Sequence, residues 1–130
     1  IKEKQAYLIS NQKSMNNGNL LLGILLFALG QSMIWIQTNG QFIWKWVDEH
    51  PLSMSIGMGI PISYMFIKAT RFTVDHFDGT LWPSRFIGFS IGIVCFALLT
   101  YFVKGEGMSA KTWICMSLAT LIISIQLFWK

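Results

Sequence analysis

Charged residues are scarce in this chain. Asp, Glu, Lys and Arg make up 12% of the 130 residues, whereas hydrophobic residues make up 53%. A soluble domain of this size is normally more polar, and the chain is too short for a water-filled β-barrel. The basic residues lie singly at the ends of apolar runs, so the net charge of +4 does not indicate a nucleic-acid partner. This composition predicts a small integral membrane protein in a lipid bilayer.

The chain also lacks the usual signatures of enzymes. Its two cysteines form no CxxC pair, and it has no Ser/His/Asp arrangement and no phosphate-binding glycine loop. The runs at 48–50 and 75–78 contain carboxylates and a histidine, but neither has a further ligand at helical spacing. We therefore predict no catalytic residues, no metal and no cofactor.

Four apolar runs are long enough to cross a bilayer. The longest, from Leu81 to Val103, has about 23 residues, which at 1.5 Å per residue cross a hydrocarbon core of roughly 30 Å with some tilt. The predicted fold is all-α, a four-transmembrane-helix bundle within a membrane domain of residues 19–130. Its spans are residues 19–38, 52–70, 81–103 and 112–129.

Residues 1–18 form a polar segment before the first span, with at most one weak amphipathic turn. It is predicted either as a solvated tail or as a tail docked on a partner. Asn19 is the predicted N-cap of the first span, and Ser109 that of the fourth.

The second span contains three residues that disfavour a regular helix. Gly57, Gly59 and Pro61 predict a kink or a local break near the membrane midplane. Such breaks line substrate paths in transporters, and they also occur in simple packed bundles. Both interpretations stay open on the sequence alone.

The distribution of basic residues predicts the orientation. Seven Lys and Arg residues belong to the side that holds the two chain ends and the link between spans two and three, against three on the other side. By the positive-inside rule both termini are predicted to be cytoplasmic, in a multi-pass protein of an inner or plasma membrane. The seven are Lys2, Lys4, Lys13, Lys68, Arg71, Arg85 and Lys130.

Arg85 is the foremost candidate for a ligand-binding residue. An arginine at the centre of a spanning helix costs about 2.5 to 3.5 kcal/mol on insertion scales, and a position near the helix end lowers that cost. Arg85 is expected either to snorkel or to pair with Asp75 or Asp78, or else to recognise an anionic ligand. Gln31, in the first span, and Trp82 complete the predicted ligand-binding set.

Small residues recur every four positions near Arg85. Ser84, Gly88 and Gly92 fall on one stripe of the third span, where a neighbouring backbone can approach closely, either within the bundle or between subunits. Cys95 and Cys115 differ in predicted depth by roughly 7 Å, so we expect free, buried thiols.

The chain resembles the drug/metabolite transporter superfamily, in particular four-helix members such as the small multidrug resistance proteins. The resemblance is carried by the Gly30–Gln31 pair and, in the last hairpin, by Gly105, Glu106, Ser109 and Trp113. Those multidrug proteins have a glutamate embedded in their first helix, and no acid occurs here between Asn19 and Thr38. Proton-coupled cation export by that route is therefore not expected.

Three functions are consistent with these features. The first is a transporter-like protein, as a homodimer, that moves or binds a small metabolite. The second is a non-catalytic accessory or assembly subunit of a larger membrane complex. A pore-forming lysis protein is a distant third, because such proteins usually have fewer spans and a strongly charged tail.

Overall fold

The fold is all-α, with four helices long and apolar enough to cross a membrane. The structure, a computed structural model, describes residues 1–129, without the side chains of residues 12–17. The helices are α1 (Lys2–Asn39), α2 (Lys45–Glu49), α3 (Pro51–His76), α4 (Leu81–Leu99) and α5 (Ala110–Phe128). A 3₁₀ turn, Gly40–Phe42, follows α1, and a π-helical turn, Thr100–Lys104, extends α4.

The four candidate spans confirm the predicted bundle. They are Gly18–Phe42, Pro51–His76, Leu81–Lys104 and Ala110–Phe128. The first three predicted spans lie within the observed ones. The fourth does too, except that its predicted end, Trp129, is one residue after the observed end at Phe128. Two of the basic residues used to predict the orientation, Lys130 and the side chain of Lys13, lie outside the described residues.

The first helix begins much earlier than expected. Residues from Lys2 onward are helical without interruption to Asn39, so the prediction of at most one weak turn is wrong. Asn19 lies inside α1 and is not its N-cap. The segment contains no proline and is rich in residues that favour helix, and the single Gly18 costs only about 1 kcal/mol in a helix interior.

The second span is unbroken. The helix α3 continues through Pro61, so the alternative of a local break is wrong. A proline removes one backbone hydrogen bond and crowds the carbonyl four residues earlier. That carbonyl belongs to Gly57, and spanning helices tolerate such defects when neighbouring groups re-satisfy the freed backbone. Pro51 occupies the first turn, where its missing N–H is of no consequence.

Helix α1 packs closely against α3 through two glycines. A Cβ atom built on Gly23 would lie 2.7 Å from Cγ2 of Thr73 and 3.2 Å from the carbonyl oxygen of Ala69. One built on Gly30 would lie 2.9 Å from Cε2 of Phe66. These side-chain-free positions let the two helices approach, as is usual between membrane helices.

Helix α5 lies at the edge of the bundle. It packs mainly along α4, and none of its described residues is buried. Ser109 is its N-cap, as predicted, since the Ser109 Oγ atom accepts a hydrogen bond of 3.3 Å from the Thr112 N–H. Cys95 and Cys115 are both free thiols, which confirms that part of the prediction, but neither is buried, because Cys95 is half-buried and Cys115 is exposed on the outer helix.

Candidate functional site

Polar side chains connect the helices inside an otherwise apolar bundle. Spanning helices gain little from burying apolar groups against each other, so such hydrogen bonds and close packing hold them together. Among the described residues, five side-chain hydrogen bonds join one candidate span to another. They are Gln31 Nε2 to Gly88 O (3.2 Å), Trp35 Nε1 to Thr100 Oγ1 (2.9 Å), Gln37 Nε2 to Met54 O (3.3 Å), Thr73 Oγ1 with Ser84 Oγ (2.6 Å) and Cys95 Sγ to Ala28 O (3.7 Å).

Gln31 occupies the middle of the first span. It lies 13 residues after Gly18 and 11 before Phe42, the ends of that span. Its amide rests against Gly92, where an added Cβ would fall 2.8 Å from Nε2 and 3.0 Å from Oε1. The glycines of the predicted stripe thus make room for this amide and for the ring of Phe27, which is 3.1 Å from a Cβ built on Gly88.

The orientation of the Gln31 amide follows from its partner. The Gly88 carbonyl only accepts hydrogen bonds, so the NH₂ end of the amide faces it and the oxygen points elsewhere. No donor to that oxygen is found among the described residues. Every buried side-chain oxygen or nitrogen atom in the described chain has a hydrogen-bond partner. Because the Gln31 oxygen has none among these residues, it is not a buried atom. The Gln31 oxygen therefore borders open space.

The first open space is the Arg85 cleft, a volume of about 380 Å³ between α1, α3 and α4. Four polar side chains border it together with aromatic and aliphatic walls. The polar ones are Gln31, Thr70, Ser84 and Arg85, and the apolar ones are Phe27, Phe66, Leu81 and Phe89.

Arg85 has no carboxylate partner in the part of the chain that the structure describes. The predicted pair with Asp75 or Asp78 is absent, because Arg71 is four residues from Asp75 on the same helix and binds it through Nε at 3.2 Å. Asp78 lies in the α3–α4 turn with a positive φ of 55°. Arg85 therefore leaves its donors free at the border of the cleft.

The second open space is the Glu106 cleft, about 440 Å³ between α1, α4 and α5. It extends from Gln31 and Gly92 past Thr100 to the loop that contains Glu106. The Glu106 carboxylate lies 3.6 Å from the ammonium of Lys104, and both side chains are partly exposed. An exposed pair of this kind contributes little to stability, so Glu106 can exchange its partner for water or a ligand.

The two clefts share Gln31 and Phe89 as lining residues. Arg85 precedes Gly92 by seven residues, or about 10.5 Å along α4, and Glu106 lies beyond the far end of that helix. Polar groups consequently occur at three levels along α4, with the Gln31 amide at the middle one.

The structure separates the predicted site residues into two groups. Arg85 and Gln31 border one cleft, whereas Trp82 is 66% exposed, lies beside the ring of Phe86 and borders neither cleft. Ser84, Gly88 and Gly92 face α1 and α3 of the same chain. Within the described residues, no three His, Cys, Asp or Glu side chains come together as a metal site.

Sequence reasoning missed the contribution of Trp35 and Thr100. Trp35 is 3% exposed and donates its indole N–H to Thr100 at the start of the π-helical turn. Phe27, Gln31 and Trp35 follow each other at intervals of four residues, so they lie on one face of α1. This shared face was the sequence signal that Trp35 points into the bundle with Gln31.

No family model, curated protein or solved structure matches this chain.

Proposed function

We propose that this chain is a transporter-like membrane protein that binds a small organic anion in the Arg85 cleft. The observation that carries the proposal is the position of Gln31, which borders both clefts and so connects Arg85 at one level of α4 with Glu106 at the other. Arg85 is exposed at the border of this cleft, where its unpaired guanidinium can bind a carboxylate through charge-assisted hydrogen bonds. The cleft volume is within the usual range for small-molecule sites.

The same geometry suggests how an anion would move. The bond from the Gln31 amide to the Gly88 carbonyl lies where the two clefts share their lining. Rotation of this side chain breaks a single hydrogen bond, and such bonds between membrane helices average only about 0.6 kcal/mol. Rotation of the Gln31 side chain would therefore open or close the connection between the two clefts.

The proposal includes a homodimer with cytoplasmic termini. Four helices offer limited room to enclose a substrate path, and α5 contributes no buried residue to the single chain among those described. By the positive-inside rule, the excess of basic residues at this end of the bundle predicts that the Arg85 cleft faces the cytoplasm. Under this proposal, an anion enters the Arg85 cleft from the cytoplasm or leaves through it.

The test is binding to protein reconstituted in nanodiscs, with short carboxylates and phosphate monoesters as probes. Arg85→Gln should weaken binding of the tightest probe at least tenfold by calorimetry. The matched control is Arg71→Gln, because Arg71 lies near the same end of the bundle, is held by Asp75 and does not border the Arg85 cleft. Equal affinities of wild type and Arg85→Gln for every probe would overturn the proposal.

Transport is measured separately, as uptake of the tightest probe into proteoliposomes. Wild type should accumulate the probe faster than Arg85→Gln does, while Arg71→Gln should match wild type. Binding without uptake would restrict the proposed function to anion binding.

A second candidate function is an accessory subunit of a larger membrane complex. Helix α5 presents an apolar face, and the part of α1 that precedes the span exposes Tyr7, Leu8 and Ile9. Purification in mild detergent with the mass of the particle measured distinguishes the two candidates. A particle containing two copies of this chain favours the transporter, and stable co-purification of unrelated subunits favours the accessory role.

A further inference from the structure

We infer that the ligand of the Arg85 cleft is a small monocarboxylate with a hydroxyl group at the end remote from the carboxylate. This inference rests on the proposed function and adds the chemistry that the cleft selects. It follows from the unused hydrogen-bonding groups of Gln31, from the single positive charge of the cleft and from the distance between the two.

The Gln31 amide has both a donor and an acceptor to offer. An amide carries two N–H groups and one oxygen, and Gln31 uses one N–H on the Gly88 carbonyl. The second N–H and the oxygen have no partner among the described residues. A hydroxyl both donates and accepts, so one ligand hydroxyl satisfies both groups.

Arg85 sets the charge of the other end. It is the only charged side chain that borders this cleft in the described part of the chain. A monoanionic carboxylate matches one guanidinium and can bind it in a bidentate manner. A doubly charged phosphate ester would bring a second negative charge for which the described lining of the cleft offers no second cation.

The spacing along α4 separates the two ends. Arg85 precedes Gly88 by three residues and Gly92 by seven, so the Gln31 amide lies about 4.5 to 10.5 Å further along the helix. The walls between these levels are apolar, with Phe27, Phe66 and Phe89 among them. A short aromatic or aliphatic body between carboxylate and hydroxyl fits this arrangement.

Two matched pairs of probes test the inference in nanodiscs. They are 3-(4-hydroxyphenyl)propanoate with 3-phenylpropanoate, and 6-hydroxyhexanoate with hexanoate. Sites that hydrogen-bond a ligand hydroxyl discriminate strongly against the analogue without it. We expect the better hydroxylated probe to bind wild type about tenfold more tightly than its partner, and Arg85→Gln to weaken both members of that pair.

Variants at Gln31 assign the discrimination to its amide. Gln31→Met keeps the size of the side chain and should reduce the difference within that pair to less than twofold. The control is Gln37→Met on the same helix, since Gln37 binds Met54 and borders neither cleft, and it should keep the tenfold difference. Gly92→Ala retains Gln31 but displaces its amide, and it should also reduce the difference.

The outcomes separate this inference from the proposed function. Equal wild-type affinities within both pairs, with binding still dependent on Arg85, overturn the inference and leave the proposed function standing. Absence of binding by any carboxylate or phosphate ester overturns both. Discrimination that survives in both Gln31→Met and Gly92→Ala overturns the role of Gln31.

Discussion

At the scale of single residues, glycines in the spanning helices differ sharply in what surrounds them. Gly23 faces Thr73 and the Ala69 carbonyl at close range, whereas a Cβ built on Gly57 meets nothing within 4 Å. Both residues are glycine, but only at Gly23 does the close packing of α1 against α3 leave no room for a side chain.

Gly23→Ala should destabilise the protein. The added methyl group forces α1 and α3 apart, because the atoms it meets include backbone, and overpacking of this kind costs about 1 to 3 kcal/mol. The free energy of unfolding in mixed detergent micelles measures the effect. Gly57→Ala is the control and should be neutral or stabilising by up to about 1 kcal/mol, since alanine favours helix. Equal effects of the two substitutions would contradict the packing of α1 on α3.

The hydroxyl pair between Thr73 and Ser84 offers a second prediction. Both residues are buried, at 0% and 2% exposure, and their oxygens are 2.6 Å apart. A double-mutant cycle with Thr73→Val and Ser84→Ala should give a coupling of about 0.6 kcal/mol, the average for hydrogen bonds between membrane helices. The same unfolding assay measures it. A coupling within error of zero would show that α3 and α4 are not joined here.

At the scale of elements, the end of α4 departs from regular helix. The π-helical turn Thr100–Lys104 ends at Gly105, whose φ of 75° is a left-handed conformation that glycine adopts without strain. Thr100 begins this turn and accepts the hydrogen bond of the Trp35 indole. The turn therefore fixes the distance between α1 and α4 at one end of the Glu106 cleft.

Thr100→Val should loosen this end of the bundle. Valine keeps the shape of threonine but leaves the buried Trp35 N–H without its acceptor, which costs about 1 to 3 kcal/mol. We expect a lower melting temperature and a changed near-ultraviolet circular dichroism signal from tryptophan. Thr120→Val is the control, because the Thr120 hydroxyl is exposed and bonds only to the Met116 carbonyl of its own helix. A melting temperature equal to that of wild type would refute the bond.

At the scale of the whole molecule, the number of candidate spans is four, and four crossings of a membrane predict that both chain ends lie on the same side. A fluorescent reporter fused to either end should be active and a phosphatase reporter inactive, because the basic residues predict that both termini are cytoplasmic. The measurement compares a phosphatase reporter, active outside, with a fluorescent reporter, active inside. Termini found on opposite faces would contradict the four-span fold, and two external termini would contradict the orientation alone.

Sequence reasoning succeeded where a local pattern decides the outcome. The spans, the Ser109 cap and the free thiols follow from apolar length, from a polar residue at a helix start and from residue depth. It failed for the helical segment before Gly18 and for the break at Pro61, because both depend on whether neighbouring turns continue the helix. Of the alternatives predicted for Arg85, only the ion pair is missing among the described residues, since Arg71 binds Asp75.

The sequence by itself determined that this chain is a four-helix membrane protein, because the hydrocarbon thickness and the need to satisfy backbone groups leave few alternatives for such apolar runs. Only the tertiary structure decided which polar side chains share a cleft. Helical spacing identifies a face, but the packing of α1 between α3 and α4 is what brings Gln31 to Gly92 and leaves Trp82 outside. Contacts between residues far apart in the chain depend on how helices pack, and no local pattern encodes them.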